Sequence, residues 1–272
     1  MARRLIHPFR TRRRALLSFG TIFAIYLLLA YILLPIAWTH HEHQPGLADR
    51  PMVTRTAQDI PGDPLNIGLI GDREDVIRAM HAAGWYPADP ITLKTSVEIV
   101  GSVLLDRPYR TAPVSSLYYD GRREDLAFEL PVGGNAKQRH HVRLWKVIDS
   151  GAEGRPVWLG SATYDRSVGI SSYTGQVTHD IAPDIDAERD FLGRALQTAG
   201  MVETIYQVSG VAPTLNGRNG EGSRYQTDGE IHMLVLVVAG KPRTTPPRVL
   251  DSSALVDAKV AAWRAIKNAV GP

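Results

Sequence analysis

The stretch RHHVRLWKVIDSGAEGRPVWLGSATYD, residues 139–165, contains two segments that we expect to form neighbouring strands of a β-sheet. Residues 139–148 and 156–165 are rich in β-branched and aromatic side chains, and the glycines and polar residues between them are typical of a turn. Two strands joined by so short a connection pair antiparallel. The stretch therefore predicts a sheet that is antiparallel at its centre.

Successive side chains of a strand point to opposite faces of the sheet, so Arg139, His141, Arg143 and Trp145 share one face. Guanidinium and imidazole groups on one face suit a phosphate or carboxylate ligand, which makes the first three of these residues candidates for ligand binding. The alternative is a solvated or ion-paired sheet face. The sequence leaves both interpretations open.

His140 falls on the other face of the same strand, together with Val142 and Leu144. Two aliphatic neighbours indicate that this face points to the core. A histidine in that position is either hydrogen-bonded within the core or a functional residue, and we keep it as a candidate catalytic residue.

Further strands and helices are predicted on both sides of this pair. Runs of strands joined by short turns, with helices towards either end, indicate the α+β class: a mostly antiparallel sheet with helices packed on one face, preceded by one transmembrane helix. The predicted strands cover 66–71, 114–119, 124–132, 201–209 and 230–239, and the predicted helices cover 72–84, 90–107, 184–199 and 252–269.

The helix predicted over 184–199 starts after Pro183, with Asp184 as its N-cap. Stepping 100° per residue places Glu188 within the apolar sector, whereas Asp186, Arg189 and Asp190 fall on the opposite half, which we expect to face solvent. A buried carboxylate must be paired, hydrogen-bonded or protonated. Glu188 is therefore a candidate catalytic residue or one half of a structural ion pair.

His140, His179 or an arginine of strand 139–148 could provide the partner of Glu188. If His140, His179 and Glu188 converge, imidazole and carboxylate groups would suit zinc or manganese, with His179 and Asp184 as candidate metal ligands. No other cofactor is predicted.

The segment ALLSFGTIFAIYLLLAYILLPIAW, residues 15–38, passes 24 residues without a charge, which is long enough to span a bilayer. The run is too long for a removable signal peptide. Six arginines precede it within residues 1–14, so the positive-inside rule predicts a cytoplasmic N-terminus and an extracytoplasmic C-terminal part, in the plasma or inner membrane. Polar residues 39–64 read as a linker, and residues 65–272 as one domain.

Composition and absent motifs exclude several functional classes. The chain has no Cys, so it has neither a disulfide framework nor a cysteine nucleophile. Without the six N-terminal arginines, the net charge of +3 becomes 3 − 6 = −3, which argues against nucleic-acid binding. The sequence contains no P-loop, no G-x-S-x-G elbow and no H-E-x-x-H motif, and the glycines of LNGRNGEGSR, residues 215–224, predict a hairpin loop.

Four segments, in this order, carry a resemblance to a known family: RPYRTAPVSSLYYDGRREDLAFELPVGG, QRHHVRLW, WLGSATYD and THDIAPDIDAERDFL. Together they resemble the LssY-like C-terminal domain family, over roughly residues 65–210. In larger relatives this domain follows membrane-embedded segments, including one of lipid-phosphatase type, whereas this chain has a single anchor and no such enzyme domain. The resemblance implies a location and a domain, and it carries over no catalytic residue.

Two functions are consistent with these features of the sequence. The first is a membrane-anchored binding or accessory module of the cell envelope that recognises an anionic lipid headgroup or an envelope membrane protein. The second is a metal-assisted hydrolase that acts on a phosphate or an envelope ester.

Overall fold

The computed structural model describes residues 8–33, 43–47, 50–88, 116–133, 138–170, 173, 175, 177–208, 216–252 and 254–270. The chain divides into two compact units, Met1–Glu42 and His43–Pro272. The helix predicted over 90–107 lies outside the described residues.

The N-terminal unit contains helix α1, Pro8–Leu28, which continues as one π-helical turn over Leu29–Leu33. Within Arg12–Leu33, an 18-residue window has a mean hydropathy of 2.3, and none of that window is buried. This helix is long and apolar enough to cross a membrane, as the sequence predicted. The last five residues of the predicted span, 34–38, lie outside the described part of the chain.

The second unit is built on a nine-stranded sheet in which most neighbours are antiparallel, which confirms the predicted fold class. Among the strands that the structure describes, only the pairs β3–β14 and β11–β15 are parallel. The spatial order is β15–β11–β14–β3–β9–β8–β7–β4, and β10 pairs with the second half of the long strand β9. The strands are β3 Ile67–Ile70, β4 Tyr86–Pro87, β7 Leu126–Pro131, β8 Arg139–Ile148, β9 Val157–Ile170, β10 Val177–Ile181, β11 Val202–Val208, β14 Ile231–Leu236 and β15 Arg248–Val249.

Helices α2, Arg73–Ala82, and α3, Ile185–Thr198, cover one face of this sheet. Their apolar side chains form one core cluster with the alternate residues of β8 that the sequence assigned to the core. The shared cluster includes Val76, Met80, Val142, Leu144, Leu192 and Leu196. The last helix is α4, Ala254–Val270.

The opposite face is covered by a four-stranded sheet, so the middle of β8, residues 141–145, is buried on both faces. This sheet has the order β2–β1–β5–β6. A second core cluster between the two sheets contains Leu47, Met52, Leu117, Tyr119 and Trp145. The small strands are β1 Val53–Arg55, β2 Pro61–Pro64, β5 Tyr118–Tyr119 and β6 Arg122–Arg123.

The linker predicted over residues 39–64 is shorter in the structure, because β1 and β2 belong to the folded unit. Pro61, Gly62 and Pro64 of this segment lie in β2, an edge strand, where proline is tolerated. Gly62 is needed there, since a Cβ atom at this position would lie 2.6 Å from Thr54 Oγ1. Burial of Met52 and Thr54 fastens the segment to the domain.

The predicted hairpin loop is present as a separate two-stranded sheet. It consists of β12, Asn216–Arg218, and β13, Arg224–Gln226. This hairpin lies beside the polar face of β8 and β9, where the candidate site is found.

Candidate functional site

A small pocket opens on the face of β8 and β9 that points away from α2 and α3. Its volume is about 30 Å³, which is room for about two water molecules. The wall is unusually polar for a buried location. Its polar and charged members are Thr56, Asp63, Arg139, His141, Arg143, Asp165, His179, Asn219 and Glu221.

The pairing of β8 with β9 explains why charged groups meet here. Arg139 is opposite Asp165 and His141 is opposite Thr163 in the antiparallel ladder, so these four side chains point to the same face. The sequence placed Arg139 and His141 on one face with Arg143, and the structure brings all three to the pocket wall.

Asp165 is the centre of the cluster. Its Oδ2 atom accepts a hydrogen bond from Arg139 Nε at 2.9 Å and lies 3.3 Å from Nδ1 of both His141 and His179. Burial alone would raise the pKa of this carboxyl, but His141, Arg139 and His179 together hold the pKa well below its usual range. Asp165 is therefore ionised at neutral pH.

Two arginines reach the pocket, and both are paired. Arg139 donates a second hydrogen bond, from Nη1 to Glu129 Oε2 at 2.9 Å. Arg143 Nη1 lies 3.4 Å from Asp63 Oδ2 and 3.0 Å from His141 Nε2. These residues are ion-paired, and the face that carries them is buried rather than solvated. Ligand binding by Arg139, His141 and Arg143 stays a prediction.

His141 is held from both sides of its ring. Nδ1 points to Asp165, while Nε2 lies 2.6 Å from Thr163 Oγ1 and also contacts Arg143. The order hydroxyl, imidazole, carboxylate is that of a nucleophilic triad. However, Thr163 is fully buried and does not line the pocket. These contacts therefore fix the ring of His141 and do not present a nucleophile to a ligand.

His179, on β10, is the more open of the two histidines, with 16% of its side chain exposed. Burial lowers its pKa to about 4, against the attraction of Asp165 and with further lowering by Arg139. The imidazole is therefore neutral at pH 7. It can accept or donate a hydrogen bond at the pocket.

One acceptor atom in the pocket wall has no partner of its own. Asp165 Oδ1 is buried and makes no hydrogen bond within the part of the chain that the structure describes. A buried acceptor without a partner is costly unless a water or a ligand supplies a donor. The pocket therefore suits a ligand that can both donate and accept hydrogen bonds.

The two residues predicted to be catalytic, His140 and Glu188, meet on the opposite face of the sheet. His140 Nδ1 lies 2.8 Å from Glu188 Oε2, and only 4% of the Glu188 side chain is exposed. The ring of His140 stacks on Phe191 with 4.1 Å between the centroids. The expected burial and pairing of Glu188 are present, and a catalytic role for the pair stays a prediction.

The predicted metal ligands do not form one centre. His179 contacts Asp165 in the pocket, whereas His140 and Glu188 lie on the helix side of the sheet. Asp184 acts as the N-cap of α3, where it accepts a hydrogen bond from Ala187 N at 3.2 Å and pairs with Lys267. Among the described residues, no three His, Asp or Glu side chains are arranged to hold a metal ion.

Sequence reasoning missed Asp63, Asp165 and Asn219, which complete the pocket wall. A signal for Asp165 was present, because Ser161, Thr163 and Asp165 alternate along β9 with the same period of two as the arginines of β8. Asp63 and Asn219 are 156 positions apart in sequence, and only the tertiary fold brings them together.

Comparison with known proteins gives one match. A family model described as LssY C-terminus matches residues 46–231, which covers β1 to the start of β14 and every polar residue of the pocket wall. No curated protein matches the chain, and no solved structure matches it.

Proposed function

The chain belongs to the LssY C-terminus family, and on that premise we propose that it is a membrane-anchored binding module whose pocket holds a phosphate group. The observation that carries the proposal is the wall of the pocket. Arg139, Arg143 and His179 supply donors beside the unsatisfied acceptor Asp165 Oδ1, within one buried site.

A phosphate group that carries one proton matches this mixture of partners. Its unprotonated oxygens accept from arginine and histidine, and its P–OH donates to Asp165. A carboxylate ligand lacks the donor once it is ionised. Among the two anions that the sequence suggested, phosphate therefore fits the pocket better.

The charges of the wall make binding depend on pH. With His179 neutral, the wall contains two arginines, Arg139 and Arg143, and three acids, Asp63, Asp165 and Glu221. This balance disfavours a dianion. We therefore expect binding to take up a proton, either on the ligand or on His179. Because the second pKa of a phosphate monoester is about 6, the affinity should increase as the pH falls from 7.5 to 5.5.

The location belongs to the same proposal. We place α1 across the plasma or inner membrane, with the N-terminal arginines in the cytoplasm and residues 43–272 outside it. In that position the pocket would meet phosphate groups of lipids or of small envelope metabolites. We also propose an envelope membrane protein as a neighbour of the module.

The test is calorimetric titration of the full chain in phosphatidylcholine nanodiscs with glycerol 3-phosphate at pH 5.5 and 7.5. We expect Arg143→Gln to weaken binding about tenfold or more, because a hydrogen bond to a charged group contributes about 1.5–3 kcal/mol. Arg166→Gln is the matched control, since Arg166 is half exposed and pairs with Asp180 outside the pocket wall.

A second arm separates a lipid from a soluble source of phosphate. Nanodiscs that contain phosphatidic acid should reduce the apparent affinity for glycerol 3-phosphate if the lipid headgroup enters the pocket, and should leave it unchanged otherwise. Absence of binding to either phosphate compound at pH 5.5 would overturn the proposal.

Hydrolysis of a phosphate or an envelope ester is the second candidate. It is favoured by His179, a neutral imidazole that lies 3.3 Å from the carboxylate of Asp165 and lines the pocket. A general base in this arrangement predicts turnover of a chromogenic phosphate ester that His179→Gln abolishes and His81→Gln leaves intact. Turnover that persists in His179→Gln would exclude this candidate.

A further inference from the structure

The hairpin β12–β13 lies over the pocket, and its turn supplies part of the wall. We infer that this hairpin, residues Asn216–Gln226, is a lid, and that the bond between Asn219 and Asp63 is the latch that controls entry. The inference rests on the proposed function for the identity of the ligand, but the lid itself can be tested without one.

The latch is a single buried hydrogen bond. Asn219 Nδ2 donates to Asp63 Oδ1 at 2.8 Å, and both residues are almost fully buried. The bond joins the tip of the hairpin to β2, on the other side of the pocket. Asn219 is therefore placed to hold the lid closed.

Asn219 also shapes the tip of the hairpin. Its Oδ1 accepts hydrogen bonds from the backbone N–H groups of Glu221 at 3.1 Å and Ser223 at 2.9 Å. One side chain thus folds the turn and fastens it to Asp63, so both functions are lost together when it is removed.

The tip fits closely against the strand pair below it. A Cβ atom at Gly220 would lie 2.3 Å from Thr56 Cγ2 and 3.2 Å from the carbonyl oxygen of Pro61. A larger residue at this position would keep the tip from seating. This close packing adds to the hydrogen bond of Asn219 in keeping the tip seated.

The base of the hairpin is fastened independently of the tip. Gln226 N donates to the carbonyl of Pro183 at 2.6 Å, and Tyr225 is buried in a small cluster with Ile181 and Ile185. Ser223 Oγ adds one hydrogen bond to Asp180 on the side of the pocket. The tip can therefore swing away while the base stays attached.

Movement of the tip would give a ligand more room in the pocket. Room for about two water molecules is too small for a tetrahedral group with four oxygens and its substituent. Asp63 links the lid to the ligand, because its other oxygen faces Arg143 at 3.4 Å. An anion that binds Arg143 competes with Asp63 for the guanidinium group. This competition weakens the hold of Asp63 on Asn219.

The test is chemical labelling of histidine in the full chain in nanodiscs, at pH 7 and without ligand. Diethyl pyrocarbonate acylates neutral imidazoles, and mass spectrometry gives the rate at His179 relative to the exposed His81. We expect Asn219→Ala to raise this ratio about tenfold, the effect of losing a hydrogen bond of about 1.4 kcal/mol. Gly220→Ala should also raise it, because the added Cβ atom unseats the tip. Asn216→Ala, on the same hairpin but exposed, should leave it unchanged.

His140, on the other face of the sheet, reports on unfolding, since a variant that failed to fold would label His140 faster as well. An unchanged ratio at His179 in both lid variants, with His140 also unchanged, would overturn the lid. If the lid variants increase labelling but glycerol 3-phosphate does not protect His179, the lid stands and the proposed ligand falls.

Discussion

The Nδ1 atom of His140 lies 2.8 Å from Oε2 of Glu188, so the central strand β8 and helix α3 are joined by a buried polar contact. Phe191 stacks on the imidazole and fixes its ring plane. The contact lies on the face of the sheet opposite the pocket, which separates its structural effects from any effect on ligand binding.

Glu188→Gln should lower the free energy of unfolding by about 1–3 kcal/mol, because the amide keeps the shape but loses a charge-assisted bond in a buried site. Denaturant unfolding followed by tryptophan fluorescence measures this change. Glu203→Gln, an exposed glutamate on β11, is the matched control and should have little effect. Normal stability combined with lost ligand binding or turnover would instead support the catalytic role predicted from the sequence.

His179 should make the domain lose stability in acid. The pKa of His179 is about 4 in the folded state, lowered by burial, and about 6.5 in an unfolded chain, so unfolding takes up a proton between these values. The contribution, about 3 kcal/mol, is present above pH 6.5 and lost as the pH falls to 4. His179→Gln should flatten the pH dependence of unfolding in this window, whereas His81→Gln should not. Identical profiles for both variants and the unmodified chain would contradict the burial of a neutral His179.

The polar side of α3, among the described residues, is a buried network of ion pairs and hydrogen bonds rather than a solvated face. Arg189 is 1% exposed and donates to Asp228 Oδ1 at 2.8 Å and to the carbonyl of Glu230 at 2.9 Å. Asp186 joins the same network, and burial raises its pKa to about 6. Arg189→Ala leaves two buried carboxylates without this partner.

We expect Arg189→Ala to cost about 3–5 kcal/mol, the usual effect of breaking a buried ion pair. Arg194→Ala, an exposed residue five positions along the same helix, should change stability by less than about 0.5 kcal/mol. Thermal unfolding of the two variants makes the comparison. Equal and small effects would show that the network contributes nothing to stability.

These examples show which features of the fold a local sequence pattern predicts. Alternation along β8 assigned both faces correctly, because strand geometry alone decides which side chains share a face. Helical periodicity likewise placed Glu188 in the core. The same periodicity was wrong about Asp186 and Arg189, since it cannot register the segment at residues 227–230 that covers that side of α3.

The site shows the same limit more strongly. Arg139, His141 and Arg143 were candidates from one strand, and His179 was singled out as a possible metal ligand. In the structure His179 contacts Asp165. This contact depends on the register of β8, β9 and β10, which the sequence does not state. The latch between Asp63 and Asn219 lies still further from any local pattern.

The orientation of the anchor can be tested directly, because the chain has no native cysteine. We expect Ala57→Cys, exposed in the turn between β1 and β2, to react in intact cells with a maleimide that cannot cross the inner membrane. Ala2→Cys, in the arginine-rich N-terminal segment, should react only after the membrane is permeabilised. The two variants are controls for one another, since each reports the opposite side. Protection of Ala57→Cys together with labelling of Ala2→Cys would reverse the proposed topology and place the phosphate pocket in the cytoplasm.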